Sequence, residues 1–281
     1  MNFVFEPVNL DWVNMPDSCN SHNHCDLNDD KEYEKYNKKI IQTNKDKWIN
    51  EFPDPEGSFA YIFDNNDIKN LLSLSQEYII THETSIKSII YFELLKKMPV
   101  IDKKYFIRTD TCSLKDGFFG NIAYDDNDKI LLSLITSKRI NYVLNMCIEN
   151  NIDNLSLYYV PWRNDFDQKN EFRVFIYNNK VTCISQYIWF ENLNVENNIQ
   201  QYVQYILDFC ENNISKFNKI MKNIIVDVIV IDNSENITVE LIELGPFGKK
   251  YSVGSCLFHW INDNDKIKNN DDLIYVRYVT Y

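Results

Sequence analysis

The sequence predicts an α+β protein, and three observations carry that prediction. Stretches with apolar residues at three- and four-residue steps mark helices, while short runs rich in Val, Ile, Phe and Tyr mark strands. Strands interleave with both helices and hairpins, a pattern unlike the strict alternation of a doubly wound sheet. The chain has 281 residues, 44% apolar and 14% aromatic, enough to bury a sizeable core and to exclude wholesale disorder. Length alone suggests one large or two smaller domains.

The elements follow in order. Residues 1–50 are polar, and from Pro16 to Lys47 the chain runs through Asn, Asp and Lys, as a loop or a surface helix would. Inside this stretch sits Cys19-x-x-His22-x-His24-Cys25. Four ligand types packed so closely, two of them adjacent, do not easily surround one tetrahedral zinc; a solvated Asn-rich loop is the competing reading. From Ile68 to Met98 the pattern is helical, with Ile79, Ile86, Ile89, Ile90, Leu94 and Leu95 in step and Pro99 as the stop. His82 beside this helix reads as a capping or core residue. Tyr105–Arg108 and Lys129–Ile135 read as short strands, and Lys138–Asn150 as a helix. Leu155–Pro161 and Glu171–Tyr177 are predicted strands, and Lys180–Phe190 a hairpin partner turned at Asn178-Asn179. Ile199–Met221 is an amphipathic helix carrying Tyr202, Tyr205, Ile206, Phe209, Ile214 and Phe217 on one stripe. Two strongly apolar strands follow, Ile224–Ile231 and Ile237–Leu244.

Composition narrows the functional classes. With 29 basic and 41 acidic side chains the formal charge is −12, so gripping nucleic acid is not the main business of this chain. An anionic ligand must instead meet a local cluster of cations. Only six glycines are present, and no glycine-rich dinucleotide or P-loop pattern can be assembled from them. Five of the six fall in the windows 117–120 and 245–254, which marks those windows for close reading. Seven scattered cysteines, no signal-like start and no apolar run of about 18 residues point to reduced thiols, a cytoplasmic setting and no membrane span. The abundance of Asn, Lys and Ile, with five Arg, fits an AT-rich genome and is silent on mechanism.

Three windows carry chemistry. In Arg108-Thr109-Asp110-Thr111-Cys112-Ser113-Leu114-Lys115-Asp116-Gly117 a β run delivers Arg108 and a polar loop presents Lys115. Two cations on one loop suit a triphosphate; pairing with Asp110 and Asp116 is the alternative. In Glu171-Phe172-Arg173-Val174-Phe175-Ile176 the strand period puts Glu171, Arg173 and Phe175 on one face. A carboxylate and a guanidinium flanked by apolar residues are costly to bury unless paired or liganded, so a structural salt bridge and a ligand site both remain open. In the third window Asp227 and Glu243 interrupt two apolar strands beside Gly245-Pro246-Phe247-Gly248. Hard oxygen donors on adjacent strands are what Mg²⁺ requires, completed by substrate phosphates.

These windows, in this order, resemble the cell division cycle protein 123 family. The likeness runs over roughly residues 100–260. It rests on Arg108 to Gly117, on Glu171-Phe172-Arg173-Val174-Phe175 with Ile184-Ser185-Gln186-Tyr187, on Asp227-Val228, and on Leu241-Ile242-Glu243-Leu244-Gly245-Pro246-Phe247-Gly248 with Leu257-Phe258-x-Trp260. The resemblance implies an ATP-grasp fold with a nucleotide cleft between two α+β lobes. On that view residues 1–60 are an unassigned polar segment, 61–160 an N-terminal lobe and 161–281 a C-terminal lobe with the metal site. It further implies ATP and Mg²⁺ as ligands. Arg108, Lys115 and Arg173 would meet the phosphates, with Lys115 and Arg173 the residues expected to act in catalysis if the chain is an enzyme. Tyr159, Val160 and Trp162 would border the adenine, and Asp227 and Glu243 would hold the metal. The chain departs from the family where Arg108 stands for a lysine and Gly245 for a metal-binding asparagine. Glu243-Leu244-Gly245 is also similar to a pattern in a neighbouring ATP-grasp clade with viral members.

Two functional classes follow. The family is known as an assembly chaperone for translation initiation factor two, acting on its gamma subunit, with ATP as structural ligand or timer. The alternative is an ATP-grasp ligase that activates a carboxylate as an acyl phosphate for attack by an amine. No protein nucleophile is needed there; His259 reads as a base or a packed core residue, and Cys112 as a small hydrophobe.

Overall fold

The computed structural model describes residues 2–13, 30–83, 88–233, 235–249 and 253–281. The Cys19–Cys25 cluster lies outside the described residues. In chain order the elements are β1 (Asn2–Asn9), α1 (Leu10–Val13), α2 (Asp30–Gln42), β2 (Phe59–Asp64), α3 (Asn65–Thr81), α4 (Ile89–Lys97), β3 (Tyr105–Thr109), α5 (Asn127–Thr136), α6 (Lys138–Glu149), β4 (Asn154–Pro161), β5 (Glu171–Tyr177), β6 (Lys180–Gln186), α7 (Ile199–Ile220), β7 (Ile224–Asp232), β8 (Ile237–Pro246), α8 (Asn264–Ile267) and β9 (Leu273–Thr280). The chain divides into two compact units, one of Met1–Glu51 with Asn164–Tyr281, the other Phe52–Arg163. The expected polar segment before residue 60 is thereby divided, because β1 belongs to the first unit and β2 to the second.

The unit Phe52–Arg163 is a three-stranded antiparallel sheet, β2-β4-β3, with helices on one face. Phe63, Tyr105, Ile107, Leu155, Leu157 and Tyr159 point from the strands into one core with Ile68, Leu71 and Leu74 of α3, Ile130, Leu131 and Leu134 of α5, and Ile140, Val143 and Leu144 of α6. The predicted helix over Ile68–Met98 is two helices. Asp64 caps the start of α3 by accepting from the Asp67 N–H at 2.8 Å, and His82, left-handed at φ 56°, closes it by donating to the Tyr78 carbonyl. His82 is thus a capping residue. Ser88 then caps α4.

Lys129–Ile135, read as a strand, is helical within α5. A short, mostly apolar run has no decisive period; the Asp126 side chain, accepting from the Asp128 N–H at 2.9 Å, commits the segment to a helix.

The other unit is built on a six-stranded mixed sheet ordered β1-β9-β6-β5-β7-β8. The β5–β6 hairpin turns as expected on Asn178 (φ 50°) and Asn179 (φ 66°), residues that tolerate the left-handed conformation of a two-residue turn. Phe172, Val174, Val226 and Val228 form an apolar face on β5 and β7. Helix α7 packs against β6, β7 and β8 and buries Tyr202, Val203, Ile206, Leu207, Cys210 and Phe217. The edge strand β1 carries Pro7, which a sheet edge accommodates because one side of its backbone has no ladder partner.

Candidate functional site

The six-stranded sheet carries a polar row across its whole width. Glu6, Arg277, Ser185, Arg173, Asp227 and Glu243 are successive register partners on β1, β9, β6, β5, β7 and β8, so their side chains share one face. Arg173 is buried, and its guanidinium is bidentate on Asp227, with Nε to Oδ1 at 2.8 Å and Nη2 to Oδ2 at 2.7 Å. Nη1 donates to the Gly254 carbonyl, and the Tyr187 ring lies 5.0 Å from the guanidinium carbon. Burial by itself lowers the Arg173 pKa; the charge and hydrogen bonds of Asp227, with Cys256 and Tyr187, together outweigh it, and the group is held well above its ordinary range. Burial followed by the Asp227 charge raises the Tyr187 phenol likewise, so it stays protonated as a hydrogen-bonding group.

Asp227 is fixed and buried, and Glu243 stands across from it, half-buried, next to a register irregularity between Asp227 and Val228. Two carboxylates in register, one already oriented by a cation, form a hard-oxygen set that fits one Mg²⁺ together with phosphate oxygens. No group of three or more His, Cys, Asp and Glu suited to hold a metal is formed among the described residues. Gly245 adds no ligand, and its place is taken. A Cβ there would lie 2.9 Å from a Val253 methyl, so Val253 occupies the space a longer side chain would need.

The second group of residues lies on the unit Phe52–Arg163. Arg108 is buried on β3 opposite Tyr158 of β4, and its Nε donates to the Thr109 carbonyl at 3.2 Å. The Asp110 carboxylate accepts from the Tyr158 hydroxyl and from the Ser156 N–H, both at 2.8 Å. Phe106, Arg108, Tyr158 and Val160 thus share the sheet face opposite the one that carries Tyr159. Lys115 is exposed on the loop after β3. That loop is anchored rather than loose. Asp116 accepts from the Ser137 hydroxyl at 2.6 Å and the Arg139 N–H at 3.0 Å, and the Phe118 N–H donates to Thr136 Oγ1 at 2.8 Å. Gly117 sits so close to α5 that a Cβ would meet the Ser133 carbonyl oxygen at 2.5 Å.

A sequence model of the family described as D123 matches residues 124–281, more than half of the chain. The chain belongs to the D123 family. Among solved structures, Cdc123 from Schizosaccharomyces pombe matches with a TM-score of 0.63 and 16% identity, over 87% of this chain and 98% of that one. A C-terminally truncated Cdc123 from the same organism matches with a TM-score of 0.64 and 17% identity, over the same shares. This likeness shows the fold, which is the mixed α+β fold expected from the family resemblance. No curated protein sequence matches.

Within this D123 chain the structure brings Arg173, Asp227 and Glu243 together, and it sets Arg108 and Val160 on one sheet face with Tyr158. Tyr159 turns its side chain to the opposite face of that sheet. Its side chain is fully buried in the core, stacked on Phe59 with centroids 4.6 Å apart, and its hydroxyl donates to Asn127 at 3.3 Å. Trp162 is half-buried and donates its backbone N–H to the Lys104 carbonyl at 2.9 Å. His259 is a structural residue: its Nδ1 accepts the N–H groups of Ile261 and Asn262, each at 3.1 Å. Cys112 is buried in the core.

Sequence reading of the D123 chain missed Arg277, which is bidentate on Asp263 at 2.6 and 2.8 Å and reaches Glu6 at 2.8 Å. The signal was an arginine inside the β-patterned run Leu273–Thr280. It also left Ser185 and Gln186 without roles. Ser185 Oγ accepts from the Leu257 N–H at 3.0 Å, and Gln186 accepts from the Val279 N–H at 3.1 Å and donates to the Glu191 carbonyl at 2.7 Å. Among the described residues no helix is long and apolar enough to cross a membrane.

Proposed function

We propose that this D123 family member binds ATP with Mg²⁺ and serves, in the cytoplasm, as an assembly chaperone for translation initiation factor two through its gamma subunit. The observation that carries the nucleotide reading is the buried Asp227, fixed by Arg173 and faced in register by Glu243. In this reading Asp227 and Glu243 hold the metal, which would screen the charge of phosphate oxygens. Arg173 orients Asp227 and adds positive charge near the phosphates. Lys115 brings an ammonium on a backbone anchored to α5 and α6, so it is positioned without being buried. Arg108 and Val160 contribute a face of the three-stranded sheet, Trp162 follows that strand, and the backbone of Tyr159, not its ring, is what a nucleotide would meet there. The partner reading rests on family membership.

Calorimetry with MgATP on wild type, Lys115→Ala and Glu243→Gln tests the first part. Binding by wild type that weakens at least about tenfold in both variants supports it; absence of binding by wild type overturns it. Capture of the purified gamma subunit, with and without ATP, tests the second. Phosphate release that depends on an added carboxylate and amine would instead mark a ligase.

A further inference from the structure

Val253–Trp260 lies over the face of the six-stranded sheet that carries the polar row, and it is pinned there strand by strand. Val253 packs on Gly245 of β8. The Gly254 carbonyl accepts from Arg173 of β5. Leu257 donates its N–H to Ser185 Oγ of β6 at 3.0 Å, and its carbonyl accepts from Arg277 Nη1 of β9 at 3.0 Å. Phe258 and Trp260 close the segment against Phe175, and the Arg277 guanidinium carbon lies 4.4 Å from the Phe258 ring centre. Cys256, in the middle, is buried and left-handed at φ 51°, a conformation held by its neighbours because it is unfavourable for a cysteine.

We propose that Gly254–Leu257 is a strap that sets the orientation of Arg173, and that Ser185, Arg277 and Gly245 are its positioning residues. Ser185 and Arg277 hold the Leu257 end of the strap, and Gly245 leaves the hollow in which Val253 seats the other. Three guanidinium N–H groups are then divided between Asp227 and the strap, so displacing the strap rotates the pair that orients the metal-binding carboxylate. The consequence for MgATP rests on the proposed function; the strap itself does not.

The test uses the full chain with Ser185→Ala, Gly245→Ala and the double variant Gly245→Ala/Val253→Ala. Alkylation is followed by mass spectrometry at Cys256, with Cys210, buried on α7, as internal reference. The Arg173 Nε–H resonance and MgATP affinity are read on the same samples. Losing a buried hydrogen bond or the Val253 seat should raise Cys256 labelling about tenfold while Cys210 stays protected, shift the Arg173 resonance, and weaken MgATP about fivefold. Removing the Val253 methyls should return Gly245→Ala to within about twofold of wild type. Unchanged Cys256 labelling in both single variants, or equal exposure of Cys256 and Cys210, overturns the strap. If labelling and resonance respond as expected while wild type binds no MgATP, the strap stands and the nucleotide reading falls.

Discussion

Arg173 and Asp227 are direct register partners on neighbouring strands, and the guanidinium spans both carboxylate oxygens at 2.8 and 2.7 Å with both side chains buried. Neither charge can be removed alone without stranding the other in a low-dielectric interior. Asp227→Ala is therefore expected to cost about 3–5 kcal/mol in urea unfolding, and an Arg173→Met/Asp227→Leu double variant much less. A double variant as unstable as the single one would show that the pair is not the origin of the loss.

Two near neighbours on the cation loop, Lys115 and Gly117, separate binding from folding. Lys115 is exposed, so Lys115→Ala should change stability by no more than about 0.5 kcal/mol while weakening MgATP. Gly117→Ala forces a methyl against the Ser133 carbonyl, where a Cβ would lie at 2.5 Å, and should cost about 1–3 kcal/mol. Urea midpoints measured beside calorimetry distinguish the two.

Tyr158 and Tyr159 are neighbours with opposite assignments. Tyr158→Phe removes the hydroxyl that donates to the buried Asp110 at 2.8 Å, with an expected loss of about 1.5–3 kcal/mol. Tyr159→Phe gives up only the 3.3 Å bond to Asn127, costs about 0.5–1.5 kcal/mol, and should leave MgATP affinity within about twofold. A large affinity loss in Tyr159→Phe would show that the side chain, and not only the backbone, bears on the nucleotide.

Alkaline pH should destabilise the fold. Burial, and then the Asp110 charge, pushes the Cys147 thiol from an ordinary 9.0 up to about 12. Below the unfolded value both states keep the proton. Between it and about 12 the unfolded chain releases the proton while the folded chain retains it, so stability falls as pH rises through that window. Burial raises the Cys210 thiol and the Tyr91 phenol as well, which steepens the decline. Urea midpoints between about pH 8 and pH 10.5 should fall, and fall less in Cys147→Ala.

Much of the fold was legible because period and punctuation are local. β4 to β8 and α6 and α7 were readable from spacing, and the Asn178-Asn179 turn from residues that tolerate positive φ. Lys129–Ile135 was not, since a short, mostly apolar run suits either element until a cap decides. β1 and β9 escaped for a different reason. Their pairing partners are far away in sequence, and a strand is recognised by what it pairs with.

For the candidate site the division is similar. By itself the sequence determined that this is an α+β chain without a glycine-rich phosphate loop, that Arg173, Asp227 and Glu243 interrupt apolar strands, and that glycine is kept for two short windows. Only the tertiary structure decided that these three residues lie in one register with Glu6, Arg277 and Ser185, that the Tyr159 ring belongs to the core, and that Val253 fills the space beside Gly245. The physical reason is that register across non-sequential strands and the identity of the atom facing an absent side chain are long-range quantities. Alternation within a strand says which residues share a face; it does not say what that face meets.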